Sequence, residues 1–191
     1  MSPDRKSQVL AAAMQCFAEK GFEATSIVDI EVAAGLSPGS GATYRHFGSK
    51  REMLEAGITA IRQSNAEATE PVITSMIDSA YAGIDLGRRN HILSTLLFRD
   101  LGQFPDLGQQ VADEVVEDLY RVAADRLAVI SPNGDAEALS VVFSGAMLSY
   151  SLLEATLDTH ALGVGDDRFA AAWARLLELV IADELDCEES E

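Results

Sequence analysis

The sequence predicts an all-α protein: an N-terminal three-helix head with a helix-turn-helix outline, followed by a larger antiparallel helical body. Three observations carry this. Apolar residues recur at three- and four-residue spacing through nearly the whole chain, the signature of one-sided helices. Gly, Pro and Asn clusters cut that pattern into helix-sized lengths. No segment alternates apolar and polar residues as a half-buried strand does, and no internal repeat is present.

In the head, Ser2 with Pro3 predicts the start of a first helix, with Val9, Leu10, Ala13, Met14 and Phe17 as its apolar face and Gly21 as its end. Phe22 packs beneath it. Thr25 or Ser26 caps a second helix, whose Ile27, Ile30, Ala33 and Ala34 face the same core while Val32 falls outside it. Gly35 closes that helix, a polar link follows, and Ala42 to Phe47 form a short third helix, with Leu36 and Phe47 closing the core. Ser49 then caps a longer helix from Lys50 that carries Met53, Leu54, Ile58 and Ile61.

In the body, Pro71 marks a break and the first turn of a helix with Val72, Ile73, Met76, Ile77 and Ala80, ending near Gly83 or Gly87. Arg88 to Leu101 form the next. Gly102 to Pro105 interrupt it, and a long helix from about Asp106 to Ile130 follows, striped by Leu107, Val111, Val115, Leu119, Val122 and Leu127. Ser131-Pro-Asn-Gly134 is a turn. The last two helices run from about Asp135 to Asp158 and from Asp166 to Asp183, with stripes too wide for a single packing partner. Ser140, Ser144, Gly145 and Ser149 flank the first of these stripes, where another helix can approach closely. Glu184 to Glu191 read as a frayed acidic tail.

The informative stretch is Gly35 to Lys50, read with its surroundings. Val9-Leu-Ala-Ala-Ala, Phe17-Ala-Glu-Lys-Gly-Phe22, Ala24-Thr-Ser26, Asp29-Ile30, Ala33-Ala-Gly35, Tyr44-Arg-His-Phe47 and Ser49-Lys50 occur in the order found in the TetR family of bacterial transcription regulators, and the run from Val9 to Leu54 resembles that family. The rest of the chain matches only in length and helical character. The resemblance implies a DNA-binding head at residues 1–48 and an effector-binding and dimerisation body at 49–191, with repression relieved by a small ligand. One departure stands out. The common pattern leads from Ser-x-Gly-x-x into the Tyr, whereas Ser37 to Thr43 is two residues longer. Two residues added inside a helix would rotate its faces by about 200°, so the addition must be absorbed before Ala42 if Phe47 is to stay in the core.

The net charge of −17 seems to exclude DNA, but its distribution does not. Residues 1–65 hold seven basic and seven acidic groups, and residues 66–191 carry the whole imbalance. No apolar run is expected to span a bilayer and no signal peptide is evident, so no membrane partner and a cytoplasmic location are expected. Cys16 reads as buried and inert. Neither it nor Cys187 has metal-ligand spacing nearby, and no metal or cofactor is expected.

The resemblance implies backbone contacts for Tyr44, His46 and Lys50. Their chemistry agrees: phenol and imidazole donate to phosphate oxygens, and Lys50 adds charge at a helix N-terminus. Thr25 and Ser26 offer a further phosphate site. Ser40, Ala42, Thr43 and Arg45 are the side chains placed for base contact, Arg45 alone having the guanidinium fork, with close backbone approach at Gly39 or Gly41, or indirect readout, as the alternatives. The resemblance also implies an effector pocket, for which His91, Phe98, Phe104, Tyr120, Phe143 and Tyr150 are candidates, a core role for each remaining open. An enzyme is disfavoured for want of a nucleophile, base and oxyanion motif at recognisable spacing. The competing reading is a helical protein-interaction module with a degenerate DNA-binding head.

Overall fold

The computed structural model describes residues 4–67 and 74–188. The expected cap at Ser2 and Pro3, the break at Pro71 with Val72 and Ile73, and the last residues of the acidic tail lie outside them. Among the described residues every regular element is helical: α1 Arg5–Lys20, α2 Ile27–Ala33, α3 Lys50–Glu67, α4 Met76–Arg89, α5 His91–Arg99, α6 Pro105–Val111, α7 Glu117–Ile130, α8 Ala136–Leu157 and α9 Asp166–Glu188. The chain forms two compact units. Residues 1–68 and 92–111 make the first, and residues 69–91 and 112–191 the second. The compact units therefore do not divide at residue 48: α3 and the segment around α5 and α6 cluster with the head.

The first unit is built on α1, against which α2 and α3 pack. Asp4 caps α1, accepting the Ser7 amide at 2.7 Å, and Gly21, at φ 91°, ends it. Val9, Ala13, Phe17, Ile30, Phe47, Met53 and Leu54 form the sealed interior. Ala33, expected there, is exposed. The Arg99 guanidinium donates to the carbonyls of Phe17 and Ala18 at the end of α1, while Asp100 accepts the Phe22 amide at 3.2 Å. Phe104 meets the Phe22 ring edge-on at 4.8 Å between centroids, and Arg51 pairs with Asp106.

The second unit is a four-helix arrangement in which α4 packs on α8 and α9, and α7 on α8. Ala80, Ile84, Met147, Tyr150 and Ala170 form one apolar cluster and Leu127, Phe143 and Leu177 another, with Trp173 packed against both. Arg88 on α4 binds Glu154 of α8 and Asp166 of α9 by paired hydrogen bonds of 2.8–2.9 Å, and the Tyr150 hydroxyl donates to Asp166 at 2.8 Å. Burial and that bond push the Tyr150 phenol up to about 12, and the Arg88 guanidinium holds the Asp166 carboxyl below its usual range.

Three expectations are corrected. Gly83 and Gly87 do not end a helix; both lie inside α4, where α8 comes close. The stripe expected from Asp106 to Ile130 holds only in part, with Leu107, Val111 and Leu127 buried. Ala112–Val116 is π-helical, and its wider turn rotates the following faces, leaving Leu119 and Val122 exposed. No apolar run of bilayer-spanning size is expected, yet α8, at 22 residues, is long and apolar enough by length and composition. Its Phe143, Met147 and Tyr150 are buried within the second unit, the place of a core helix in a bundle.

A Cβ added at Gly87 would sit 2.2 Å from the Ser151 Oγ and 2.6 Å from its Cβ, whereas one at Gly145 would meet nothing within 4 Å. Gly87→Ala should therefore destabilise the protein by about 1–3 kcal/mol, and Ser151→Gly should relieve most of that cost. Gly145→Ala should be neutral or stabilising by up to about 1 kcal/mol. Thermal or urea melts of Gly87→Ala, of Gly87→Ala with Ser151→Gly, and of Gly145→Ala check the set.

Candidate nucleic-acid interface

The helix-turn-helix outline is present, but its second helix is a single 3-10 turn, Thr43–Arg45, not the Ala42 to Phe47 helix expected. Its approach is set by the end of α2. Ser26 caps α2 reciprocally with Asp29. At the other end Gly35, at φ 66°, donates to Val32 and Leu36 donates to the Glu31 carbonyl at 2.8 Å, a Schellman closure that satisfies the last carbonyls. The long link then turns at Ser37–Ser40, with Pro38 second and Gly39, at φ 72°, third, the arrangement of a type II turn. The two extra residues are absorbed here, and Phe47 stays 2% exposed.

What holds the link is a residue the sequence reading passed over. Glu31 is fully buried on α2, and its carboxylate accepts the Gly39 amide at 2.6 Å and the Ser40 hydroxyl at 3.1 Å. Burial pushes this carboxyl up, but the bonds from Gly39 and Ser40, helped by the Thr43 and Ala42 amides, prevail and hold it below its ordinary value. The signal was available. Ile27, Ile30, Glu31 and Ala34 follow the i, i+3, i+4, i+7 rule, which puts a carboxylate on the core face of α2.

Lys50 answers it with the opposite charge. Its ammonium donates to the carbonyls of Phe22 and Thr25 at 2.8 Å and of Glu23 at 3.4 Å, and lies 4.7 Å from the centre of the Phe22 ring. All three of its donors are spent inside the head, so Lys50 clamps the α1–α2 turn in this conformation, in place of the exposed phosphate contact the sequence reading expected. Thr25 is likewise internal. It is 1% exposed, and its hydroxyl, expected to offer a phosphate site, is turned inward, 3.0 Å from the Cys16 carbonyl and 2.7 Å from that of Gly21.

The remaining candidates divide by exposure. Tyr44, 56% exposed, and Arg45 project from the 3-10 turn, His46 is half-buried just after it, and Ser26 is exposed at the α2 cap. Ser40 is committed to Glu31, and its Oγ accepts the Ala42 amide at 3.2 Å. Gly41, at φ 65°, and Ala42 are half-buried. Thr43, expected as a base contact, is sealed in the core, so its side chain is not presented at the surface. Cys16 is buried too, and burial raises its thiol.

The candidates for an effector pocket are dispersed. Phe98, 63% exposed, and Phe104, paired with Phe22, belong to the first unit. In the second, the ring of Phe143 meets Trp173 edge-on, and Tyr150 stacks between His160 and Phe169. His91 lies with its Nδ1 2.8 Å from the Arg88 carbonyl, and Tyr120 is half-buried. No group of three or more metal-ligating side chains suited to a metal ion occurs among the described residues.

Because the folded Glu31 carboxyl titrates below its ordinary value of 4.5, its contribution is complete above that value and is lost as pH falls through the folded one. Thermal stability from this source should be flat between pH 8 and 5 and fall only below about pH 4.5. Glu31→Gln should make the acid limb shallower, measured as melting temperature against pH.

A sequence model of the helix-turn-helix domain described as "Bacterial regulatory proteins, tetR family" matches residues 9–56, the stretch just described. Among curated proteins, the HTH-type transcriptional regulator YhgD of Bacillus subtilis is 29% identical over 127 residues, 63% of this chain and 64% of that protein. The HTH-type transcriptional repressor KstR2 of Mycobacterium tuberculosis is 43% identical over 51 residues, 27% of this chain and 24% of that one. The alignments thus span less than two thirds of these relatives' length. A TetR-like transcriptional regulator from Rhodococcus sp. RHA1 shares the fold, with a TM-score of 0.69 at 21% identity over 95% of this chain and 99% of that one. The motif residues and the matched stretch agree: residues 9–56 form a head similar to the DNA-binding domain of the TetR family of bacterial regulatory proteins, and the rest of the chain shares the all-helical fold of such regulators.

Proposed function

We propose that the chain is a sequence-specific DNA-binding transcriptional regulator, a repressor whose hold on its operator is weakened by a small-molecule effector. The observation that carries this is the helix-turn-helix, with Tyr44 and Arg45 exposed on a turn whose framework is internally satisfied. Residues 1–48 provide the DNA contact. Tyr44, His46 and Ser26 bind phosphate, Arg45 supplies the base-reading fork, and Gly41 and Ala42 lie against the groove. Effector binding belongs to the body, where His91, Tyr120, Phe143 and Tyr150 are the candidate wall. Phe104 is used by the head, and Phe98 is exposed. The segment 92–111 clusters with the head yet is joined by the chain to the second unit at both ends. An effector that shifts the second unit therefore pulls on Arg99, Asp100 and Phe104, and through them on the head. The setting is cytoplasmic, with no enzymatic activity.

The regulator acts as a homodimer, joined through α8 and α9. Val141, Val142 and Leu157 on α8 and Leu176 and Leu179 on α9 are exposed, a face that a two-fold axis would cover as a four-helix interface. Gly145→Arg places bulk and charge on that face and should give a monomer in sedimentation runs at micromolar concentration. A wild-type monomer there would count against the dimer.

With Lys50 committed to carbonyls, each head offers phosphate only Arg45 and one of Arg5 or Lys6. A dimer then neutralises roughly four phosphates, and log K against log salt should slope by about −4, flattened further as salt screens the acidic body. Arg45→Ala should reduce that slope by nearly two units. Lys50→Ala should leave the slope unchanged and lower the melting temperature. Anisotropy titrations of DNA from upstream of the chain's own gene check both variants. A slope of about −5.5, or one that Lys50→Ala flattens, would return Lys50 to the phosphates.

A further inference from the structure

We propose that Glu31, which sits inside the head and touches no DNA, is a positioning residue that fixes which DNA sequence the turn Thr43–Arg45 reads. The inference rests on the DNA-binding reading above.

The link from Ser37 to Thr43 is short of restraints of its own. It contains two glycines, Gly39 and Gly41, both at positive φ, and glycine gives a chain more freedom to lose than any other residue. The Ser37–Ser40 turn orders it locally, and the Glu31 side chain ties it to α2. Both carboxylate oxygens of Glu31 are used, one by the Gly39 amide at 2.6 Å and one by the Ser40 hydroxyl at 3.1 Å. Ser40 in turn accepts the Ala42 amide at 3.2 Å, and Ala42 accepts the Arg45 amide at 3.2 Å. A continuous chain of hydrogen bonds therefore runs from α2 to the residue that carries the base-reading fork.

The chemistry at position 31 argues against a mere packing role. The position is fully buried on the core face of α2, where an apolar side chain would pack without desolvation. A carboxylate is tolerated there only because it is hydrogen-bonded, and the side-chain bonds it accepts come from the link. Base readout requires the reading group to be held within about 0.5 Å of its productive place. With the carboxylate gone, α2 keeps its Ser26 cap and Gly35 closure, while the turn loses its fixed offset from α2. Tyr44 and Arg45 remain exposed and charge is nearly unchanged, so general attraction to phosphate persists. The loss falls on discrimination.

The test uses the full chain as wild type, Glu31→Gln and Glu31→Ala. Each selects from a random-sequence duplex pool, and each is then titrated against the wild-type-selected duplex and a scrambled duplex of the same composition. Glu31→Ala should lower the ratio of selected to scrambled affinity by about tenfold, with scrambled affinity within about twofold. Glu31→Gln, which keeps an acceptor and the side-chain shape, should fall between the two, and it carries the test if Glu31→Ala does not fold. An unchanged ratio in both variants, or equal weakening on both duplexes with a lowered melting temperature, overturns the proposal while leaving the DNA-binding reading intact. If the wild-type chain selects no sequence at all, that reading falls and the proposal falls with it.

Discussion

The head of this protein depends on how two opposite charges are spent inside it. Glu31 takes donors from the link after α2, and Lys50 gives donors to the carbonyls of the turn before α2. Neither segment has a regular partner for its backbone groups, and a buried backbone group without one costs about as much as a lost hydrogen bond. A carboxylate accepts several N–H bonds and an ammonium donates three, so each side chain satisfies a stretch of irregular backbone that no strand or helix could. With both turns fixed, α2 is tied at each end, and the surface left over, Tyr44 and Arg45 above all, is small and rigidly carried.

That arrangement bears on the proposed binding of so acidic a chain to DNA. The first 65 residues are electrically balanced, and the excess of negative charge lies beyond them. Lys50, Arg51 and Lys20 are drawn into internal contacts with carbonyls, Asp106 with Glu55, and Asp29 respectively. The few cations that remain cannot supply the counterion-release term that dominates binding by basic proteins. Under the proposed function, recognition rests on hydroxyl, amide and guanidinium geometry, and on groove shape. Weak attraction to arbitrary DNA accompanies this, and the acidic body reinforces it.

The helices were legible because periodicity and caps act locally. Gly21, Ser26, Gly35 and Ser49 end or start their elements where the sequence places them, and Phe47 had to stay in the core, which located the extra link residues before Ala42. What was not legible depends on partners distant in sequence. Gly87 reads as a terminator until Ser151 of α8 is seen against it. The π turn at Ala112–Val116 has no composition of its own and displaces a stripe that the 3.6-residue rule would extend. At the site, Tyr44 was singled out by the family resemblance and Arg45 by its guanidinium fork, and both are exposed. The capture of Lys50 by carbonyls 25 to 28 residues earlier, and the burial of Thr25 and Thr43, did not follow from pattern, because a polar residue in a motif gives no sign of which way its side chain turns. Glu31 could have been found, since a carboxylate on a core face requires an explanation.

The central claim is that this head recognises a particular DNA sequence. Nuclease protection of the DNA upstream of the chain's own gene, titrated with the full chain at moderate salt, tests it most directly. The account predicts a discrete protected site with two-fold symmetry, its half-sites separated by about one helical turn or a multiple of it. Uniform coating, or no protection at concentrations that saturate a bona fide operator, would contradict it.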